Sequence, residues 1–140
     1  MPATAHQLPA WECLELLAGH GIGRLCLIDA GTPIAVPVNY RLGSHQQIIV
    51  RTAPNSMVGR YRGPCSLEVD DIDIVHERAW SVIARGTLVP VHDAHGLPDP
   101  APIVAGDRNR WMTLDIAVVS GRRFLLADSG DGWSVDWQLA

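Results

Sequence analysis

The sequence has 140 residues, a formal net charge of −4, 47% hydrophobic residues and 19% charged residues. This length fits a single domain, residues 1–140, that can bury a core without disulfides, and the composition is that of globular rather than disordered proteins. The negative charge argues against nucleic-acid or acidic-lipid partners, and the sequence shows neither a run of about 20 apolar residues nor a signal peptide, which argues against a membrane partner.

A short amphipathic helix is predicted near the start of the chain. Pro9 suits the first position of a helix, and Gly19 and Gly21 supply its end. Four residues have the i, i+3, i+4, i+7 spacing of one buried helix face, namely Ala10, Cys13, Leu14 and Leu17. The pattern indicates one helix packed against another element.

Most of the remaining chain is predicted to be β. Residues 24–28 form a short apolar run, and residues 33–42 alternate with the period of two that marks a half-buried strand. Pro37 removes one hydrogen-bond donor from this second strand, so the strand must open or meet a sheet edge there. Further predicted strands are 48–52, 66–70, 80–91, 112–119 and 123–127, with a turn at Gly121 and a Pro/Gly-rich loop over 93–107.

These elements predict a mainly β, antiparallel domain with one N-terminal helix and a short helix after the Arg51-Thr52 strand. The spacing does not distinguish a barrel from a sandwich. The three cysteines, Cys13, Cys26 and Cys65, are odd in number and form no CxxC pair. That pattern favours reduced thiols and a cytoplasmic protein.

The end of the strand at Arg51 and Thr52 is a candidate anion site. A guanidinium offers a planar fork of donors, and the hydroxyls of Thr52 and Ser56, with free backbone N–H groups at a helix start, would add more. The alternative is an exposed strand end whose polar groups are solvated.

Two other segments could contact a planar heterocycle. Asn39 and Tyr40 follow Pro37, whose exposed backbone could hydrogen-bond the edge of a ring, and Trp80 and Ser81 open a strand where an indole could cover a ring. Ordinary core or interface packing is the alternative in each case. The 92–95 segment places two histidines beside an aspartate without a rigid third or fourth ligand, so no metal site is predicted.

Six short segments stand in an order that resembles the small pyridoxamine 5'-phosphate oxidase-like proteins. They are Gly23-Arg24-Leu25, Pro37-Val38-Asn39-Tyr40, Arg51-Thr52, Val69-Asp70, Trp80-Ser81-Val82 with Arg85-Gly86, and Gly121-Arg122-Arg123. The resemblance runs from about Cys13 to Phe124. It implies a Greek-key-like split β-barrel that forms a homodimer, with a flavin in each of two clefts between the subunits.

The same resemblance implies a set of cofactor-binding residues, Val38, Asn39, Tyr40, Arg51, Thr52, Ser56, Trp80 and Ser81. The first three would lie along the isoalloxazine ring, the next three would reach the ring edge, ribityl chain or phosphate, and the last two would line the same cleft. The pair Arg122 and Arg123 resembles a C-terminal basic motif of the family. No residue stands out as catalytic.

Met57 is the ninth residue of the implied cofactor-binding set, and it departs from the family pattern, because relatives usually carry a lysine there beside the Ser or Thr. Loss of a charge-assisted phosphate contact costs roughly 1.5–3 kcal/mol, so FMN, the expected cofactor, should bind less tightly. Arg60 or Arg62 could replace the charge, or the cleft could hold a deazaflavin. The implied function is a flavin- or deazaflavin-dependent oxidoreductase. The alternatives are a non-catalytic cofactor carrier and a dimeric scaffold without FMN.

Overall fold

The structure, a computed structural model, describes residues 5–102, 106–125, 127–128 and 133–134. Its elements are β1 (Ala5–Leu8), α1 (Ala10–Ala18), β2 (Ile22–Asp29), β3 (Thr32–Asn39), β4 (Arg41–Leu42), β5 (Gln47–Thr52), α2 (Met57–Arg60), β6 (Gly63–Asp73), β7 (Arg78–Pro90), β8 (Arg110–Leu125), β9 (Ala127–Asp128) and β10 (Trp133–Ser134). The described parts of the predicted 93–107 loop contain neither helix nor strand, as expected.

Eight strands form one antiparallel sheet in the order β3-β2-β6-β7-β8-β5-β4, and β1 pairs with β8. Two strands pair with the same edge of β8: β5 pairs with the first half of β8, and β1 pairs with its second half. No backbone ladder joins β3 to β5 within the described residues, so the sheet stays open between them. This is the mainly β split barrel predicted from the sequence.

Pro37 lies in β3, which is the edge strand on one side of this opening. The prediction that the proline marks an edge is confirmed. On the outer side of an edge strand there is no neighbouring strand to accept a backbone hydrogen bond, so a missing N–H costs nothing there. The predicted alternation also holds, since Ile34, Val36 and Val38 are half-buried while Pro33, Ala35 and Pro37 are exposed. The predicted 33–42 strand is divided into β3 and β4 at Tyr40.

The core lies on the face of the sheet that α1 covers. Cys13 and Leu17 of α1 are fully buried, whereas Ala10, which shares their predicted face, is exposed. The sheet contributes alternate residues to this core, including Leu25, Leu27, Leu67, Val69, Val82, Ala84 and Leu114. No helix in the described part of the chain is long and apolar enough to cross a membrane.

The predicted turn at Gly121 is wrong, because β8 runs unbroken through this residue. A Cβ at position 121 would lie 2.8 Å from Cys13 Sγ and 3.0 Å from the Ser81 carbonyl oxygen. The glycine therefore allows α1 to approach the sheet closely, which is the other common reason for a glycine inside a strand. Strand β1 was not predicted at all.

Candidate functional site

The opening between β3 and β5 contains a cavity of about 210 Å³, here named the β3–β5 cavity. It is lined by Val36, Pro37, Val38 and Asn39 of β3, Val50, Arg51 and Thr52 of β5, Ser56, Met57 and Val58 at α2, and Pro102 and Arg108 of the loop between β7 and β8. Six of the nine sequence-predicted site residues thus meet here: Val38, Asn39, Arg51, Thr52, Ser56 and Met57.

The Thr52 and Ser56 hydroxyls lie 2.7 Å apart and are engaged with the protein itself. Ser56 is the N-cap of α2: its Oγ accepts from the Gly59 backbone N–H at 3.0 Å and donates to the Ala53 carbonyl at 2.7 Å. Because each hydroxyl has one proton, Thr52 must donate its own to Ser56. A Cβ at Gly59 would lie 2.2 Å from the Ala53 oxygen, so this turn also requires a glycine. Neither hydroxyl therefore has a proton left for a ligand.

The Arg51 guanidinium lies on the cavity wall but is already bound to a carboxylate. Its Nη1 contacts both Asp99 oxygens, at 3.0 and 3.1 Å, and its Nε donates to the Arg108 carbonyl at 3.1 Å. The guanidinium carbon also lies 5.2 Å from the centre of the Trp111 ring. The predicted anion-binding arginine thus connects β5 to the loop that follows β7.

Asp99 is held by the backbone as well as by Arg51. Its Oδ1 accepts from the Ala101 N–H at 2.9 Å, and Ala101 has a φ of 48° in the left-handed region. The Ala101 N–H, followed by the Arg51 guanidinium, lowers the pKa of Asp99 below its ordinary value. The carboxylate is therefore charged at neutral pH.

Arg108 is a cavity residue that sequence reasoning missed. It lines the cavity, and its Nε is buried without a hydrogen-bond partner among the described residues. A buried donor of this kind costs free energy unless a ligand or water satisfies it. No local pattern marks Arg108 in the sequence, because its position depends on the contact between its carbonyl and Arg51, 57 residues away.

Tyr40, which the family resemblance places along a bound ring, does not line the β3–β5 cavity, and its side chain packs into the core. The side chain is only 1% exposed, and its hydroxyl donates to the Leu17 carbonyl at 2.6 Å. Burial raises the pKa of this phenol well above its ordinary value. Tyr40 follows the last residue of β3, where the inward direction leads to α1 rather than to the opening, so it fastens α1 to the barrel.

The structure also separates Trp80 and Ser81 from the β3–β5 cavity. Both lie on β7, which is three places from β3 and two from β5 in the sheet order. The Trp80 indole packs edge-on against the His20 imidazole, with ring centroids 4.7 Å apart. Ser81 lines a different, smaller cavity beside Gln7 and Arg122. Within the described part of the chain, Trp80, Ser81 and the β3–β5 cavity form no common site.

The second arginine of the predicted basic motif has a structural contact. Arg123 Nη2 lies 3.2 Å from Glu12 Oε1, and both side chains are partly exposed. This ion pair joins the end of β8 to the first turn of α1. Arg123 therefore helps to hold α1 against the sheet.

A charged cluster lies beside a second cavity of about 420 Å³, which shares Pro37 with the β3–β5 cavity. Arg24 Nη1 contacts Glu68 Oε2 and Asp70 Oδ2, each at 2.9 Å. Burial, followed by the hydrogen bond and charge of Asp70, raises the pKa of Glu68 to about 7, although Arg24 opposes the change. Glu68 can therefore exchange a proton near neutral pH.

Comparison with known proteins gives a family and a set of similar structures. The family model described as "Pyridoxamine 5'-phosphate oxidase" matches residues 9–123. The FAD-binding protein from Mycobacterium smegmatis is 26% identical, with 86% of this chain and 99% of that chain covered and a TM-score of 0.69. No curated protein matches the sequence.

Two more distant structures share the fold. An FAD-binding protein from Mesorhizobium loti is 20% identical, with 87% of this chain and 98% of that chain covered and a TM-score of 0.67. The FAD and heme binding protein from Mycobacterium smegmatis is 18% identical, with 95% and 77% covered and a TM-score of 0.62. At these identities the likeness concerns the fold alone.

Replacing Tyr40 with Phe should destabilise the protein without changing the β3–β5 cavity. The substitution removes the hydrogen bond from Tyr40 and leaves the Leu17 carbonyl with the longer hydrogen bond from the His20 N–H at 3.3 Å, which should cost about 1 kcal/mol in the free energy of unfolding. Chemical denaturation checks the value. The control is Tyr61→Phe, which removes an exposed hydrogen bond to the Pro64 carbonyl and should cost less. A Tyr40→Phe variant as stable as the wild type would contradict the assignment.

Replacing Glu68 with Gln should remove a pH dependence of stability. Because the folded pKa of about 7 exceeds the ordinary value of 4.5, the contribution of Glu68 is complete below pH 4.5 and is lost as the pH rises through 7. Glu68→Gln should therefore be more stable than the wild type at pH 8, by about 1 kcal/mol after allowance for solvent screening, and should lose this advantage near pH 5.

Thermal unfolding of both proteins at pH 5, 6, 7 and 8 measures the difference. Glu15→Gln, on the exposed face of α1, makes the same change of charge and should follow the wild type. A constant difference between Glu68→Gln and wild type across this range would show that Glu68 is ionised throughout.

Proposed function

The chain belongs to the pyridoxamine 5'-phosphate oxidase family, and on that premise we propose that it is a flavin-binding oxidoreductase that prefers FAD to FMN. The observation that carries the proposal is the β3–β5 cavity, which gathers six residues singled out by the family resemblance together with the unpaired Nε of Arg108. The 26% identical structure named as an FAD-binding protein supports the choice of flavin.

The chemistry of the cavity wall suits part of a flavin. Val36, Val38, Val50 and Val58 provide aliphatic surface, which favours a flat aromatic ring. Arg108 has a buried donor for an oxygen or a phosphate, and its charge strengthens such a hydrogen bond. The residues therefore fit a ligand with an apolar ring and a polar or anionic edge.

Met57 argues against FMN as the preferred form. Its side chain lines the cavity and is 39% exposed, so it stands where the family resemblance places a cation. Neither Arg60 nor Arg62 lines the cavity, and Arg62 Nη1 donates instead to the Gly59 and Tyr61 carbonyls. A terminal phosphate is mostly a dianion at neutral pH, whereas each phosphate of FAD carries one charge and makes a smaller demand on cations.

A bound flavin would supply hydride or electron transfer, while the protein orients the ring and excludes water. None of the described residues that line the cavity is a carboxylate, an imidazole or a thiol. Proton transfer would then involve the substrate or water rather than a side chain of this cavity. The same observation favours a second candidate function, a flavin carrier without turnover.

The size of the cavity supports a homodimer. A volume of about 210 Å³ is below the roughly 300–1,000 Å³ of ordinary small-molecule sites, so one subunit would cover only part of a flavin. Trp80 and Ser81 are separated from the cavity within the chain, and we propose that they approach the cofactor of the other subunit. A flavin between two copies satisfies both observations.

The flavin is tested by titrating the apo-protein with FAD, FMN and a deazaflavin while following absorption and fluorescence. FAD should bind most tightly, and Arg108→Gln should weaken its binding by about tenfold or more, as expected for loss of a charged hydrogen-bond partner. The control is Arg60→Gln, which removes a nearby charge outside the cavity and should have little effect. Absence of binding by all three cofactors would refute the proposal.

A second measurement distinguishes an enzyme from a carrier. The holoprotein is mixed anaerobically with a reduced nicotinamide nucleotide and then exposed to oxygen. Loss and recovery of the flavin absorption would support an oxidoreductase. A flavin that stays oxidised with NADH and with NADPH would favour the carrier.

The homodimer is tested by sedimentation velocity, which should show a particle of two chains. Ile83 and Val118 are 40% and 49% exposed on the sheet face opposite the core, and we propose that this face forms the contact. Val118→Asp should therefore yield single chains and weaken flavin binding. Val75→Asp, at an 86% exposed position in the turn between β6 and β7, is the control. A wild type that sediments as one chain at micromolar concentration would refute the dimer.

A further inference from the structure

Arg51 lines the β3–β5 cavity and pairs with Asp99, which lies outside the cavity lining, so this ion pair bears on which ligand the cavity accepts. We propose that Asp99 is a specificity-determining residue, whose carboxylate occupies the anion-binding side of Arg51 and disfavours ligands with a terminal phosphate dianion. The inference rests on the proposed flavin function and assigns a residue to the preference for FAD over FMN.

The position of the carboxylate is fixed by independent contacts. Both oxygens of Asp99 face the same Arg51 nitrogen, and Oδ1 also accepts the Ala101 N–H. The next residue, Pro102, lines the cavity. The negative charge is therefore held beside the cavity by the backbone turn and does not depend on Arg51 alone.

Arg51 is held on its other sides as well. Its Nε binds the Arg108 carbonyl, and the plane of Trp111 lies beside the guanidinium. The side chain is only 27% exposed, whereas that of Asp99 is 54% exposed. A phosphate that approaches Arg51 must displace the more exposed carboxylate into water or bind close to its negative charge. Both outcomes weaken binding.

The penalty should increase with the charge of the ligand, because the repulsion is proportional to the product of the charges. A terminal phosphate dianion should be affected most, a phosphodiester less, and a ligand without phosphate not at all. Met57 contributes no opposing charge, and Arg108 is the other cation among the described residues that line the cavity. Asp99 therefore biases the cavity against FMN relative to FAD and riboflavin.

The test compares wild type and Asp99→Asn in their affinities for riboflavin, FMN and FAD at low salt. The asparagine can still accept the Ala101 N–H and an Arg51 N–H, so the substitution removes the charge and retains the contacts. Asp99→Asn should bind FMN roughly threefold to tenfold more tightly, FAD with a smaller gain, and riboflavin unchanged. The difference should shrink at 1 M salt because charge interactions are screened.

The matched control is Asp93→Asn. Asp93 belongs to the same loop, its carboxylate accepts the His95 backbone N–H at 2.9 Å, and its replacement changes the net charge equally. This variant should bind all three flavins as the wild type does. Asp99→Glu retains the charge and should retain the preference against FMN.

Four results would overturn the inference. An equal change for riboflavin, FMN and FAD in Asp99→Asn would mean that Asp99 only shapes the loop. Weaker FMN binding would mean that the ion pair prepares Arg51 for phosphate instead of competing with it. If no flavin binds to wild type or variant, the proposed function fails and this inference fails with it, whereas binding without dependence on Asp99 refutes the inference alone.

Discussion

The opening between β3 and β5 is the feature on which the candidate site depends. β3 pairs with β2 along one edge, and its other edge faces the opening rather than β5. Pro37 lacks the N–H that a closing ladder would use at that position, so the sequence itself disfavours closure at the edge strand. If such a ladder closed the barrel, β3 would pair directly with β5 and would leave no room for the β3–β5 cavity.

Arg51 connects the loop after β7 to this cavity. One guanidinium binds the Asp99 side chain and the Arg108 carbonyl, and it packs against Trp111. The same contacts that place the Arg108 side chain at the cavity also neutralise part of the positive charge there. Under the proposed flavin function, loop structure and ligand charge would be coupled through Arg51, and ligand preference would change with substitutions in the loop while the barrel stays the same.

The sequence predicted the strands and the composition of the opening better than the direction of individual side chains. The period of two in β3 predicted which residues face inward. It cannot distinguish a side chain that faces α1 from one that faces a cavity. Tyr40 shows the difference, because its hydroxyl donates to the Leu17 carbonyl of α1. The sequence predicts a turn at Gly121 because a glycine suits both turns and close packing, and only the structure shows that close packing applies here. Arg108 was missed because only a contact across 57 residues places it.

The hydroxyl network changes what the Arg-Thr and Ser segments imply about ligands. Thr52 donates its proton to Ser56, and Ser56 donates its own to the Ala53 carbonyl and caps α2. These residues are thus required by the fold of the turn, whichever ligand is present. Recognition of an anion is left to the guanidinium groups and to whatever charge lies next to them, because a committed hydroxyl cannot donate again. Two chains with the same hydroxyl pattern can therefore select different phosphates, according to the residues that stand at the positions of Met57, Asp99 and Arg108.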